Sequence, residues 1–302
     1  MTAGITLANA PVSYGVFELS AEEGVHLPDA EELATMVAAA GYAGIDSGPI
    51  GMLGRGPQLR ARLARHRLTL AGGWVDLPFS DAAAFAAAIP GYRDALAFFT
   101  EGNNPDRPAR PTLADSGSDL RRAHPGGGPE LSLDERGWDT FAGSLATALE
   151  LARDAGLEPT FHHHACTHVE TPAEIDELLA RTEVGLTLDT GHLLLGGGDP
   201  LAGLRRWSER IDHLHLKDVR RAVLADVVAT RAGMRKVWTD RAFVPLGEGD
   251  LDLEAVMAQI LGSGYTGWLV VEQDVIPQAG DDPGRPQREQ VHNREVLRRW
   301  LP

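Results

Sequence analysis

The sequence predicts a single (β/α)8 barrel spanning residues 1–302, and three observations carry that prediction. Short β-rich apolar segments alternate with alanine-rich helical stretches through most of the chain, as parallel βα units require. The length of 302 residues suits one such barrel, which commonly takes about 250 residues as a single unit. Neither GxGxxG nor GxxxxGK[ST] follows any apolar segment, and the glycines from Gly48 to Gly56 match neither template, which counts against a nucleotide-binding doubly wound sheet.

The apolar segments place eight strands at residues 5–11, 43–49, 68–77, 111–115, 157–164, 184–190, 211–217 and 267–273. Helical patterns lie between them at 29–41, 57–67, 138–155, 172–181, 200–210 and 253–261, and 288–301 closes the chain. Two helix starts are marked chemically, because Thr171-Pro172 and Asp199-Pro200 each set a side-chain cap before a proline at the first helical position. Two insertions break the rhythm. Residues 101–137 are rich in Pro, Gly and Asp, and residues 220–242 are charged and follow a strand end; in a barrel such segments cover the substrate mouth. No solenoid-length repeat and no composition shift marks a domain boundary.

Composition excludes several function classes. The chain carries 43 Asp plus Glu against 28 Lys plus Arg, a formal net charge of -15, so binding to a phosphate backbone or an anionic membrane surface is not expected. The single cysteine, Cys166, cannot form an internal disulfide and reads as a small apolar filler, since no base or oxyanion site accompanies it. With no basic-then-apolar leader and no apolar run of about 18 residues, a soluble cytoplasmic protein is expected.

Barrel enzymes place their working groups at the carboxyl ends of strands, and here four consecutive strands end in metal-type ligands. The fifth ends Phe161-His162-His163-His164, the sixth Leu188-Asp189-Thr190-Gly191-His192, the seventh His213-Leu214-His215-Leu216-Lys217-Asp218, and the eighth Val270-Val271-Glu272-Gln273-Asp274. Any one of these residues alone reads as a satisfied core histidine or a turn former. Their recurrence on four neighbouring strands points instead to one divalent ion, and mixed imidazole and carboxylate ligands suit Mn, Co, Zn or Fe(II) better than Mg or Ca. Residues two apart share a strand face, so His162 pairs with His164 and His213 with His215, with one of each pair at ligand depth; His163 faces the surrounding helices.

These strand ends, with the opening Asn9-Ala10-Pro11-Val12-Ser13-Tyr14-Gly15-Val16-Phe17 and the later Pro245-Leu246-Gly247-Glu248-Gly249, resemble the xylose-isomerase-like barrel superfamily of sugar isomerases, epimerases and dehydratases, and are most similar to its inosose dehydratase branch. The resemblance covers most of the chain from Ile5 onward. It implies a metal set of His162, Asp189, His215 and Glu272, the superfamily's usual first ligand being Glu rather than His. That departure removes one of the two carboxylates that pass a proton across the substrate in isomerases and epimerases, which favours a lyase. His164 shares the face of His162 and stays open as the fifth-strand ligand.

The implied reaction is dehydration of a cyclic polyol ketone of the inosose type through an enediolate, the metal polarising the ketone. Glu272, His164, His192 and Lys217 are the expected acid/base and catalytic set, and Glu248, Arg221, Asp46 and Trp74 the expected substrate contacts. Lys217 has an alternative as a salt-bridge partner of Asp218, and Glu248 as a turn residue. The expected partner is a small sugar or polyol ketone, with neither nucleic acid nor membrane, and the resemblance also implies a homo-oligomer. The rival activities are a ketose isomerase or epimerase, a 3-keto-sugar lyase or deglycosidase, and a non-enzymatic metal-binding partner subunit. A repair endonuclease on the same fold is disfavoured by charge and by the lack of ligands for three metals.

Overall fold

A computed structural model describes residues 4–16 and 25–301, so Phe17 of the opening motif lies outside the described residues. Eight parallel strands close a barrel in the order β1-β10-β7-β6-β5-β4-β3-β2. They are β1 (Thr6–Asn9), β2 (Gly44–Asp46), β3 (Thr69–Leu77), β4 (Arg110–Asp115), β5 (Thr160–His162), β6 (Gly185–Asp189), β7 (Ile211–Leu216) and β10 (Trp268–Val271). Between β7 and β10, β8 (Asp218–Val219) and β9 (Phe243–Val244) pair antiparallel as a separate ribbon.

Each predicted strand is present. Several are shorter than their apolar runs, β5 covering three residues of the expected eight. Both marked helix starts are also present. Thr171 and Glu174 form a reciprocal capping box, and Asp199 accepts a hydrogen bond from the Ala202 N–H at 2.8 Å. The sequence reading passed over the helix Ala82–Gly102, where Pro90-Gly91 interrupts the helical template. Packing overrides that signal: Phe85, Tyr92, Leu96, Phe98 and Phe99 are buried on its inner face, and Asp81 caps its start.

The first insertion therefore begins in a helix end and contains β4 and the short helix Asp119–Ala123. The second is helical, Arg221–Thr230 and Met234–Thr239, carried on the β8–β9 ribbon. It has its own small core, in which Leu224, Val227 and Val237 join Ala165 and Cys166 from the loop after β5. The main core lies between the barrel wall and its outer helices. No helix among the described residues is long and apolar enough to cross a membrane.

Candidate metal centre

The carboxyl ends of β5, β6, β7 and β10 bring His162, Asp189, His215 and Glu272 together, with one ligand atom of each lying within 4.8 Å of all the others. Asp189 and His215 are register partners on adjacent strands. The Asp-Thr-Gly-His sequence splits the work of the Asp189 carboxylate. Its Oδ1 caps the helix Thr190–Leu195, accepting from the N–H groups of Gly191 and His192 at 2.8 and 2.9 Å, while the buried Oδ2 faces the centre and the Lys217 ammonium 3.2 Å away. Glycine is required at 191, since a Cβ there would stand 2.9 Å from the Lys217 Cβ.

His162 Nδ1 bonds the His163 carbonyl, which can only accept, so Nδ1 carries the proton and Nε2 presents a lone pair. That nitrogen lies 3.2 Å from His215 Nδ1 and 3.6 Å from Asp189 Oδ2. His215 Nδ1 is 3.1 Å from Glu272 Oε2. Burial pulls the His215 pKa down, but Glu272, Asp189 and Asp46 outweigh it and hold it at about 10. For Lys217, burial is likewise overcome by Asp189, Asp274 and Glu272, which push its pKa well up. Burial would raise the Glu272 carboxyl, yet His215 and Lys217 keep it well below the usual range.

These carboxylates draw positive charge towards them, from the Lys217 ammonium and from a proton held on His215. Two imidazoles and two carboxylates, with Asp189 Oδ2 and the His162 Nε2 lone pair converging, fit a divalent ion. Bonds of about 2.0–2.2 Å would need only small side-chain shifts to draw in donors spread this widely.

Above the centre lies a cavity of ≈ 290 Å³ whose wall includes Asp46, Trp74, His164, Lys217, Trp238 and Asp274. His164 does not join the ligand group. It lies against the edge of Trp74, its ring centroid 4.7 Å away, with burial lowering its pKa. His192 is one layer back, fully buried, its ring centroid 3.7 Å from that of His164 with the planes tilted by 40°, and its Nε2 accepts from Lys217 Nζ at 3.2 Å. His163 faces away from the centre, as expected, and its Nε2 accepts from the Asp189 N–H at 3.2 Å. Cys166 packs in the insertion core with its thiol pushed up to about 12 by burial, which suits a filler.

Three expectations need correction. Lys217 does not pair with Asp218; its ammonium contacts Asp274 at 2.7 Å, Glu272 at 2.9 Å and Asp189 at 3.2 Å. Asp218 instead accepts backbone N–H groups from Gly247, Gly249 and Leu251, which organises the Pro245 to Gly249 turn. Glu248 is an exposed residue of that turn, and Arg221 is exposed at a helix start with its N–H on Asp250, so neither reaches the cavity. In the other direction, the sequence reading missed Asp274 and Trp238. Asp274 stands two residues beyond Glu272, as Lys217 stands two beyond His215, and that repeated spacing was a usable signal. Trp238 comes from an insertion helix and carried none.

The family model for xylose isomerase-like TIM barrels matches residues 111–300. The chain belongs to that family. It is 31% identical over 228 residues to an inosose dehydratase of Geobacillus kaustophilus, an alignment covering 73% of this chain and 72% of that one. Further inosose dehydratases align at up to 37% identity over about half of their length. Among solved structures, a probable 3-DHS dehydratase, AsbF of Bacillus anthracis, superposes with a TM-score of 0.68 at 14% identity, covering 97% of this chain and 98% of its own. The IOLI protein with a bound zinc atom gives 0.68 at 14% identity, covering 96% of each. These two likenesses show the fold.

Proposed function

We propose that the protein is a metal-dependent hydro-lyase that removes water from a cyclic polyol ketone of the inosose type. The observation that carries this reading is the convergence of His162, Asp189, His215 and Glu272 beneath a cavity that also exposes a neutral histidine and a buried ammonium. The relatedness to inosose dehydratases supports the substrate class. Mn, Co, Zn or Fe(II) suits the donor set, and zinc in the IOLI protein supports that group of ions. When bound by these four residues, the ion supplies Lewis-acid polarisation of the substrate ketone.

The chain's own groups do the proton chemistry. His164, kept neutral by burial, faces the cavity and takes the α-proton, whose electron pair moves onto the carbonyl carbon–oxygen system as the enediolate. Collapse of the enediolate expels the β-hydroxyl, which leaves as water with a proton from Lys217. Asp274 and His192 hold that ammonium in place, and Glu272 closes the proton network as both ligand and acceptor. Trp74 and Asp46 shape the wall against the ring. With imidazole rather than carboxylate on β5, one member of the two-carboxylate relay of an epimerase is missing.

Metal-replete protein incubated with a panel of inososes and ketoses, followed by mass spectrometry, tests this. Loss of one water from an inosose is expected, and in deuterated water the recovered substrate should contain no epimer. Epimers without dehydrated product would replace the lyase with an epimerase.

A further inference from the structure

His215 has two ring nitrogens, and only one is explained by the metal centre. Its Nδ1 faces Asp189, Glu272 and His162, whereas its Nε2 is buried without a hydrogen-bond partner. An imidazole that gives its Nδ1 lone pair to a cation must carry its proton on Nε2, and a buried N–H without an acceptor is costly. The carboxylate beside that nitrogen belongs to Asp46, whose Oδ2 is 3.8 Å away. Asp46 ends β2, and β2 pairs with β1 and β3, so this approach to β7 crosses the barrel interior. Asp46 is itself buried, and its Oδ1 has no hydrogen-bond partner either.

We infer that Asp46 is a positioning residue, accepting the Nε2 proton of His215 and so fixing the tautomer that offers Nδ1 to the metal. A shift of under about 1 Å, as the ligands draw together, brings the pair to hydrogen-bond distance. This inference rests on the metal centre of the proposed function and gives Asp46 a duty beyond shaping the cavity wall. His213 lies two residues earlier on the same strand face, with both ring nitrogens unpartnered, and groups with Asp46 and His215 within 4.8 Å. A neutral His213 can also offer one ring nitrogen as an acceptor there, and the Asp46 variants decide which group takes the Nε2 proton.

Metal-free protein titrated with Co2+ tests the assignment without substrate. Asp46→Leu should weaken Co2+ binding by about 10–100-fold, the usual cost of losing such an outer partner, and should alter the Co2+ ligand-field spectrum. Asp46→Asn, close in shape and still able to accept, should fall between Asp46→Leu and wild type, and it carries the test if the leucine variant does not fold. Unchanged Co2+ affinity and spectrum in Asp46→Asn and Asp46→Leu, with a raised KM, would make Asp46 a substrate contact and overturn the inference. Two ions per wild-type chain, one of them lost with Asp46, would also overturn it by making Asp46 a ligand. Failure of wild-type protein to bind Co2+ would instead refute the metal centre itself.

Discussion

Two clusters of buried charge among the described residues differ in whether their donors converge on an open space. In one, the buried Arg121 of the first insertion pairs with Glu174 and stands 3.7 Å from Glu170, both carboxylates almost fully buried. Backbone N–H groups of Gly126, Glu170 and Thr171 and the Ser132 hydroxyl bond those carboxylates, while Glu170 Oε2 and the Arg121 Nε and Nη1 have no hydrogen-bond partner. In the other, Asp189, Glu272 and Asp274 share the single ammonium of Lys217, and His215 is driven to hold a proton against the pull of burial. Burial of charge is common to both; only the second leaves donors converging on a space between them. The first ties an insertion to the barrel, and the second has the makings of a metal site.

The largest expected effects separate the two clusters cleanly. Asp189→Asn keeps an oxygen to cap the helix Thr190–Leu195 but removes the ligand charge, so it should lose most of the bound ion and reduce turnover by more than the ~10–100-fold typical of outer-shell changes, with the fold retained. Arg121→Met should do the reverse, costing about 3–5 kcal/mol of stability by stranding buried carboxylates while leaving one ion per folded chain. Elemental analysis alongside chemical denaturation reads both. Full metal occupancy in Asp189→Asn, or metal loss from folded Arg121→Met, would erase the distinction.

A smaller effect probes the Arg121 cluster by pH. Burial pushes the Glu170 carboxyl up to about 7, against the opposing pull of its backbone hydrogen bonds and Arg121. A carboxyl raised in the folded state favours folding most below its unfolded pKa of about 4.3, and that contribution is lost as pH rises through 7. Glu170→Gln stays neutral throughout. Its stability relative to wild type should therefore improve between pH 4.5 and 7.5, by up to ~3 kcal/mol. Paired thermal melts across that range would show a flat difference if Glu170 were ionised throughout.

The sequence disclosed these regions unequally for physical reasons. The barrel was legible because buried parallel strands and amphipathic helices leave periodic patterns, and the four ligand-bearing strand ends were legible because a polar group ending an apolar run stands out. What escaped depends on contacts distant in sequence. The helix Ala82–Gly102 is held by aromatic packing that outweighs Pro90, and Trp238 reaches the cavity only because the β8–β9 ribbon carries its helix there. The choice between His162 and His164 was open because both share a face. The geometry separates them: the strand ends at His162, and only that ring groups with Asp189, His215 and Glu272. The Arg121 cluster left no mark in the sequence because its members are separated by the whole of β5 and the long helix before it.

The smallest expected effects come from Arg221 and Glu248, which family resemblance assigned to the substrate and the structure sets on the surface. Arg221 uses its backbone N–H on Asp250, and Glu248 rides an exposed turn whose shape is fixed by Asp218. Exposed side chains away from buried networks usually alter stability by no more than about 0.5 kcal/mol. Arg221→Ala and Glu248→Ala should therefore leave stability within that range, and kcat/KM within about twofold because neither side chain lines the cavity. Steady-state kinetics with the inosose substrate reads this directly. A tenfold rise in KM for Arg221→Ala would mean that the helical insertion closes over bound substrate and carries this guanidinium to it. In that event the cavity mouth, rather than the strand ends alone, would take part in recognising the polyol ring.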